Sequence, residues 1–155
     1  MWTLDFLIEL IAALLGTVAF AIMFRLPQRF LHIATIGGGI TYVVYYAISF
    51  YFSSLFAAAF LSSALSAIYS EFCARRFRAP AIIFSLLCAI PIVPGGSLYR
   101  TMVNLISEDY PNAWFFFKQT LLIVIGIAGG LALISLAVHL VNSAIAHFKA
   151  KKSTK

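Results

Sequence analysis

The residues best suited to chemistry lie in one run, Cys88-Ala89-Ile90-Pro91-Ile92-Val93-Pro94-Gly95-Gly96-Ser97-Leu98-Tyr99-Arg100-Thr101. A regular helix cannot pass through Pro91, Pro94, Gly95 and Gly96, because each proline removes an amide donor and clashes with the preceding turn. A helix that restarts at about Ser97 presents free N–H groups and its positive dipole end, which favour a carboxylate or a phosphate. Gly95 and Gly96 let a ligand approach the backbone closely. Tyr99 and Asn104 can add hydrogen bonds. Arg100 can clamp a carboxylate with two parallel hydrogen bonds, or it can snorkel to an interface or pair with Glu108. The expected substrate-binding set is Pro94, Gly95, Gly96, Ser97, Tyr99 and Arg100, with a carboxylate or a phosphate as the group bound. The alternative is a proline kink that only shapes packing.

Two other ionisable residues are candidates for coupling or gating. Glu71 precedes Arg75 by four residues, which puts both on one helix face; a simple ion pair is the plainer alternative to a proton-coupling carboxylate. His139 lies in an apolar stretch, where its imidazole could relay protons or serve as a hydrogen-bonded packing residue. Cys73 and Cys88 have neither the spacing nor the placement of a disulfide or a metal site and read as two buried thiols. The sequence carries no Walker motif, metal-ligand cluster, nucleophile elbow or G-x-G-x-x-G. It points to no enzyme and no cofactor.

The elements that must position these residues are membrane spans. Of 155 residues, 63% are hydrophobic and 10% charged, with a mean hydropathy of +0.99. A soluble domain is about 45–50% apolar and about 25% charged. A water-soluble monomer could not hide so much apolar surface, which excludes a soluble globular enzyme, a disordered tail and a nucleic-acid-binding domain. A spanning helix needs about 20 mostly apolar residues. Five stretches qualify, at about 6–24, 33–52, 55–72, from 79 past Pro91 and Pro94, and 114–146. The second is diluted by Gly37-Gly38-Gly39 and its tyrosines, and a re-entrant segment is the alternative there. In the fourth, the break comes about ten residues, or roughly 15 Å of helix, after its start, near mid-membrane. Irregular backbone at that depth survives only when buried in protein or lining a polar cavity, as in the discontinuous helices of transporters.

The charges decide between the alternatives. With five spans, Arg25, Arg29 and His32, then Arg75, Arg76 and Arg78, then Lys149, Lys151, Lys152 and Lys155 fall on one side, and Asp5, Glu9, Glu108 and Asp109 on the other. Basic residues gather in the cytoplasm, which puts the N-terminus outside and the C-terminus inside. The N-terminal stretch lacks a basic n-region and does not read as a signal peptide. The expected fold is an all-α polytopic membrane bundle with about five transmembrane helices, the fourth broken. Residues 1–148 form one integral membrane domain. Residues 149–155 form a basic cytoplasmic tail attracted to anionic lipid. Ser62, Ser66 and Ser70 on the third span, and Gly126 with Gly130 on the fifth, are small-residue faces expected to be buried against other helices. The serine stripe could instead line a polar pathway.

Several of these residues also resemble a known family. Leu26-Pro27-Gln28-Arg29, Glu71 with Arg75 and Arg76, Pro80, Ile90-Pro91-Ile92-Val93-Pro94-Gly95-Gly96 with Tyr99-Arg100, and Asp109-Tyr110 resemble, in order and spacing, the small subunit of the threonine/serine exporter (ThrE) family and the YjjB-type subunit of bacterial succinate exporters. The P-x-x-P-G-G-x-x-Y element is the specific part. The resemblance implies export of threonine, serine or succinate-type dicarboxylates across the bacterial inner membrane, together with a larger, separately encoded multi-span subunit. A small chain with an odd number of spans agrees, since a complete alternating-access carrier is built from paired repeats. A non-transporting assembly or regulatory subunit and a complete small carrier acting as a homo-oligomer are the alternatives.

Overall fold

The computed structural model describes the backbone of residues 2–153 and the side chains of residues 4–144. Its described residues fold into helices α1 (Trp2–Met23), α2 (Gln28–Phe52), α3 (Leu55–Phe77), α4 (Ala81–Ala89), α5 (Gly95–Ile106) and α6 (Tyr110–Ser153), with a 3-10 turn at Ile90–Ile92. Helices α1, α2, α3 and α6 are each long and apolar enough to cross a membrane. Residues Ala81–Ile92 and Gly95–Ile106 form a pair bent by 53° at the break. The chain is an all-α membrane bundle, as its composition requires.

The glycines of α2 do not break it. Helix α2 runs unbroken for 25 residues through Gly37, Gly38 and Gly39, all three buried. A Cβ on Gly37 would fall 2.5 Å from the Tyr69 ring, and one on Gly38 2.5 Å from the Thr17 hydroxyl. These glycines let α1 and α3 approach α2 closely, so the re-entrant alternative for this stretch falls away. The connections are short and tight. Arg25, Ser53, Arg78 and Glu108 turn the chain with left-handed φ values of 54°, 50°, 52° and 59°. Pro27 and Pro80 stand immediately before α2 and α4, where a missing amide donor costs nothing.

Helix α3 is the centre of the bundle, packed by α2, α4 and α6, while α1 lies on α2. The seam between α3 and α6 is made of small residues. A Cβ on Gly126 would sit 2.9 Å from the Ala59 Cβ and from the Phe56 carbonyl, and one on Gly130 would run into Ser63 and the Phe60 carbonyl. Arg75 donates to Asn142 Oδ1 at 3.1 Å, a pair 67 apart in sequence, and the same offset joins Ala59 to Gly126 and Ser63 to Gly130. A constant offset means that α3 and α6 run parallel. The chain between them must therefore return to the end where α3 began, so the bent α4–α5 pair acts as one crossing and five crossings result.

Ser62, Ser66 and Ser70 are buried, and each donates to a carbonyl of its own helix at 2.6, 2.9 and 2.7 Å. Ser63 reaches the Phe60 carbonyl at 3.0 Å and the Gly126 carbonyl at 3.4 Å. With hydroxyls satisfied and water excluded, the stripe is a packing face and not a polar pathway. Cys73 and Cys88 are both free and buried, as expected. Around Cys73, Phe30 packs edge-on against Phe77 and Phe84, with ring centroids 5.9 and 5.7 Å away. The side chains of the basic tail, Lys149, Lys151, Lys152 and Lys155, lie outside the described residues.

Candidate functional site: a broken span and the cleft beside it

Helix α4 ends where Pro91 denies it a donor. The Val93 amide donates to the Ile90 carbonyl at 3.1 Å, closing the 3-10 turn, and Val93 itself is extended. Helix α5 then starts at Gly95, two residues before the expected Ser97, because the Leu98 amide donates to the Pro94 carbonyl at 3.0 Å. No side chain caps this start. The amides of Gly96 and Ser97, ahead of that first bond, have no acceptor within the helix. Gly95 and Gly96 are exposed, and a Cβ on either would meet nothing within 4 Å among the described residues. Pro94 and Ser97 are half-buried beside them.

Tyr99 and Arg100 lie one turn further along. Tyr99 is exposed, and the Arg100 guanidinium rests over the Phe116 ring of α6 at 5.4 Å. Among the described residues Arg100 makes no ion pair with Glu108. Helix α5 is amphipathic, and its polar strip of Ser97, Arg100, Thr101 and Asn104 recurs at helical spacing. Thr101 is buried in the angle with α6, against Tyr110, Ala113, Trp114 and Phe117. Leu98, Tyr99, Met102, Val103 and Ile106 are exposed. Five of the candidate residues thus share the first turn and a half of α5, with Pro94 immediately before them and Arg100 turned onto α6.

Glu71 and His139 are elsewhere. The Glu71 carboxylate is 4.0 Å from Arg75 Nε, on side chains 27% and 58% exposed. Such a half-solvated i, i+4 pair contributes about 0.3–0.5 kcal/mol. His139 is exposed on α6, one turn before Asn142. About 35 Å of helix separates it from Phe116, where Arg100 rests.

The break has a second face. A cleft of about 430 Å³ opens beside Ile90 and Pro91, lined also by Glu9, Ala12, Ala13 and Gly16 of α1 and by Tyr42 and Tyr45 of α2. The Tyr42 hydroxyl donates to Glu9 Oε2. Phe6 backs the tyrosines, 6.2 Å from the Tyr42 ring and 4.7 Å from that of Tyr46. Sequence reasoning treats Glu9 only as a charge that marks one side of the membrane. A better signal was present: the span begins at Leu4, so Glu9 lies five residues, about 8 Å, inside it. An ionisable group at such a position is expensive and marks function by default. Only the fold, however, brings Tyr42 and Pro91 to it.

No curated protein and no solved structure matches the chain. A family model described as "Threonine/Serine exporter, ThrE" matches residues 9–137. The match takes in the cleft, the break, the start of α5 and nearly all of the seam between α3 and α6. The chain therefore belongs to the threonine/serine exporter (ThrE) family.

Proposed function

We propose that this chain is the small membrane subunit of a secondary transporter that exports small carboxylate metabolites, and that the run Pro94-Gly95-Gly96-Ser97, with Tyr99 and Arg100, receives the substrate carboxylate. Membership of an exporter family supports the transport role. The observation that carries the site is the uncapped start of α5, with two exposed glycines and open space around both. Amides without acceptors at the end of a helix dipole favour an anion. Threonine, serine and succinate-type dicarboxylates all bring the carboxylate that this end would hold.

The larger multi-span subunit of the family is the proposed partner, with a homo-oligomer as the alternative. The exposed apolar side of α5, which finds its one substantial neighbour in α6, supports a further helix packing there. That same face also suits a non-transporting assembly subunit. Glu71 and His139 are the proposed coupling or gating groups. The proposed setting is the bacterial inner membrane, with the N-terminus outside, residues 1–148 as one membrane domain and residues 149–155 on anionic lipid inside. The test is efflux of threonine, serine and succinate from loaded cells that express this chain with and without the larger subunit. Efflux that needs both chains supports the proposal. Efflux unchanged by removing this chain overturns it.

A further inference from the structure

On the other side of the α1–α2 pair from the Glu9 cleft, a groove follows the two helices. Leu10, Leu14 and Val18 recur every four residues along its α1 wall, and Ile36, Ile40 and Val44 do the same along its α2 wall. Two hollows of about 350 and 370 Å³ meet at Ile36 and make the groove continuous. Packing closes its floor, since a Cβ on Gly39 would lie 2.9 Å from Leu14 Cδ2. The α2 stripe continues through His32 to Gln28, so the groove becomes polar where α2 begins. From His32 to Val43, which also lines it, is about 16 Å of helix. One leaflet of a hydrocarbon core about 30 Å thick is about 15 Å deep. The groove therefore runs the depth of one leaflet, from the start of α2 to just past its middle.

The charges at the mouth select what fills it. Arg25 and Arg29 are exposed on either side of Gln28, and Arg29 stands one turn before His32. The Arg29 guanidinium rests over the Phe30 ring at 4.6 Å, and a guanidinium held over a ring keeps its in-plane N–H donors for an anion. Residues 10–70 contain no aspartate or glutamate, and Glu71 is paired with Arg75. Positive charge without a matching carboxylate thus stands above a hollow lined only by apolar residues. We propose that this groove binds one anionic phospholipid, with an acyl chain along Ile36, Ile40 and Val44 and the headgroup phosphate among Arg25, Gln28, Arg29 and His32. Basic pockets between membrane helices hold such headgroups by charge, and the apolar hollow below holds the chain by burial. The lipid comes from the leaflet at the Arg25–Arg29 end, the cytoplasmic one in the orientation proposed above. This site is separate from the basic tail and from the broken span.

The test measures binding of phosphatidylglycerol and of phosphatidylcholine with the same acyl chains to the full chain in detergent. Native mass spectrometry and thermal stabilisation are the two readouts. Phosphatidylglycerol should bind about tenfold tighter, and glycerol 3-phosphate, a headgroup without chains, should not compete with it. Arg25→Gln combined with Arg29→Gln should bring phosphatidylglycerol down to the level of phosphatidylcholine. Ile36→Trp, an exposed position where the two hollows meet, should weaken both lipids about tenfold by filling the groove. Ile40→Phe, one turn further along, serves should Ile36→Trp fail to accumulate. Equal binding of the two lipids by the wild-type protein overturns the inference, as does wild-type lipid binding by a variant with a filled groove. Glycerol 3-phosphate that displaces phosphatidylglycerol overturns it in favour of a soluble anion. A cysteine at Ile40 that cross-links in native membranes to a second copy or to the larger subunit gives the groove to a protein helix and overturns it as well. No readout depends on export, so the transport role proposed above stands or falls separately.

Discussion

Gly96 and Arg100 separate a binding site from a kink. Among the described residues nothing lies within 4 Å of a Cβ on Gly96, so a larger residue there has room in the fold. Gly96→Val should accumulate in the membrane and assemble like wild type, while efflux is abolished because the side chain stands where the substrate carboxylate would approach the amides. Measuring abundance, complex formation and efflux together checks this; a well-assembled variant with normal efflux sinks the site. Arg100→Lys keeps the charge but loses the forked donor geometry and the flat stacking on Phe116. It should weaken substrate binding by about 1–3 kcal/mol, as for a lost charge-assisted hydrogen bond. Ligand-dependent thermal stabilisation reads this directly, and an unchanged shift would leave Arg100 as a packing residue.

Glycines in this chain do opposite jobs in different helices. In α6, Gly126 and Gly130 let the α3 backbone approach, and any side chain there meets a carbonyl or a serine of α3. Overpacking a site of this kind costs about 1–3 kcal/mol, and more where backbone must move. Gly126→Leu or Gly130→Val should therefore unfold or deplete the protein itself, in the presence or absence of any partner. Leu131→Ala, at a half-buried position, should be milder. At the start of α5 the reverse holds. Gly95 has no left-handed φ and an open surround, so Gly95→Ala should leave thermal stability unchanged or slightly raised. Thermal unfolding of the four variants in detergent checks the contrast, and equal losses would refute the roles assigned to the two helices.

At the scale of the molecule, the parallel run of α3 and α6 determines how the chain is threaded. With Leu55 level with Leu122, the segment Tyr110–Leu121 and its partner α5 extend about 18 Å past the start of α3. This hairpin carries exposed Tyr99, Ile106, Tyr110 and Trp114 and lacks cover from the rest of the bundle. Five crossings put the turns at Ser53 and Asn112 on one side and those at Gln28 and Ala79 on the other. In a background without Cys73 and Cys88, cysteines at Ser53 and Asn112 should react with an impermeant thiol reagent added outside, and those at Gln28 and Ala79 should not. The opposite pattern would invert the proposed orientation, and a mixed one would refute the crossing of α4 and α5.

What the sequence by itself determined was chiefly local or compositional. Apolar runs about as long as a bilayer is thick had to become spans, and Pro91 and Pro94 had to break the fourth, because a missing amide donor acts whatever surrounds it. The candidate set Pro94 to Arg100 was legible for the same reason, as was the Glu71–Arg75 pair, whose spacing alone places both groups on one face. Relations between helices were not legible. That Gly37 to Gly39 sit in an unbroken helix follows from the fit of Tyr69 and Thr17 against them, and that the serine stripe is sealed follows from the approach of α2, α4 and α6. The start of α5 at Gly95 needed the Pro94 carbonyl to be turned toward Leu98. Above all, Glu9, Tyr42 and Pro91 come from α1, α2 and the 3-10 turn at the break. Their meeting depends on the angles and registers set by side-chain packing, which one linear pattern does not encode and only the tertiary structure decides.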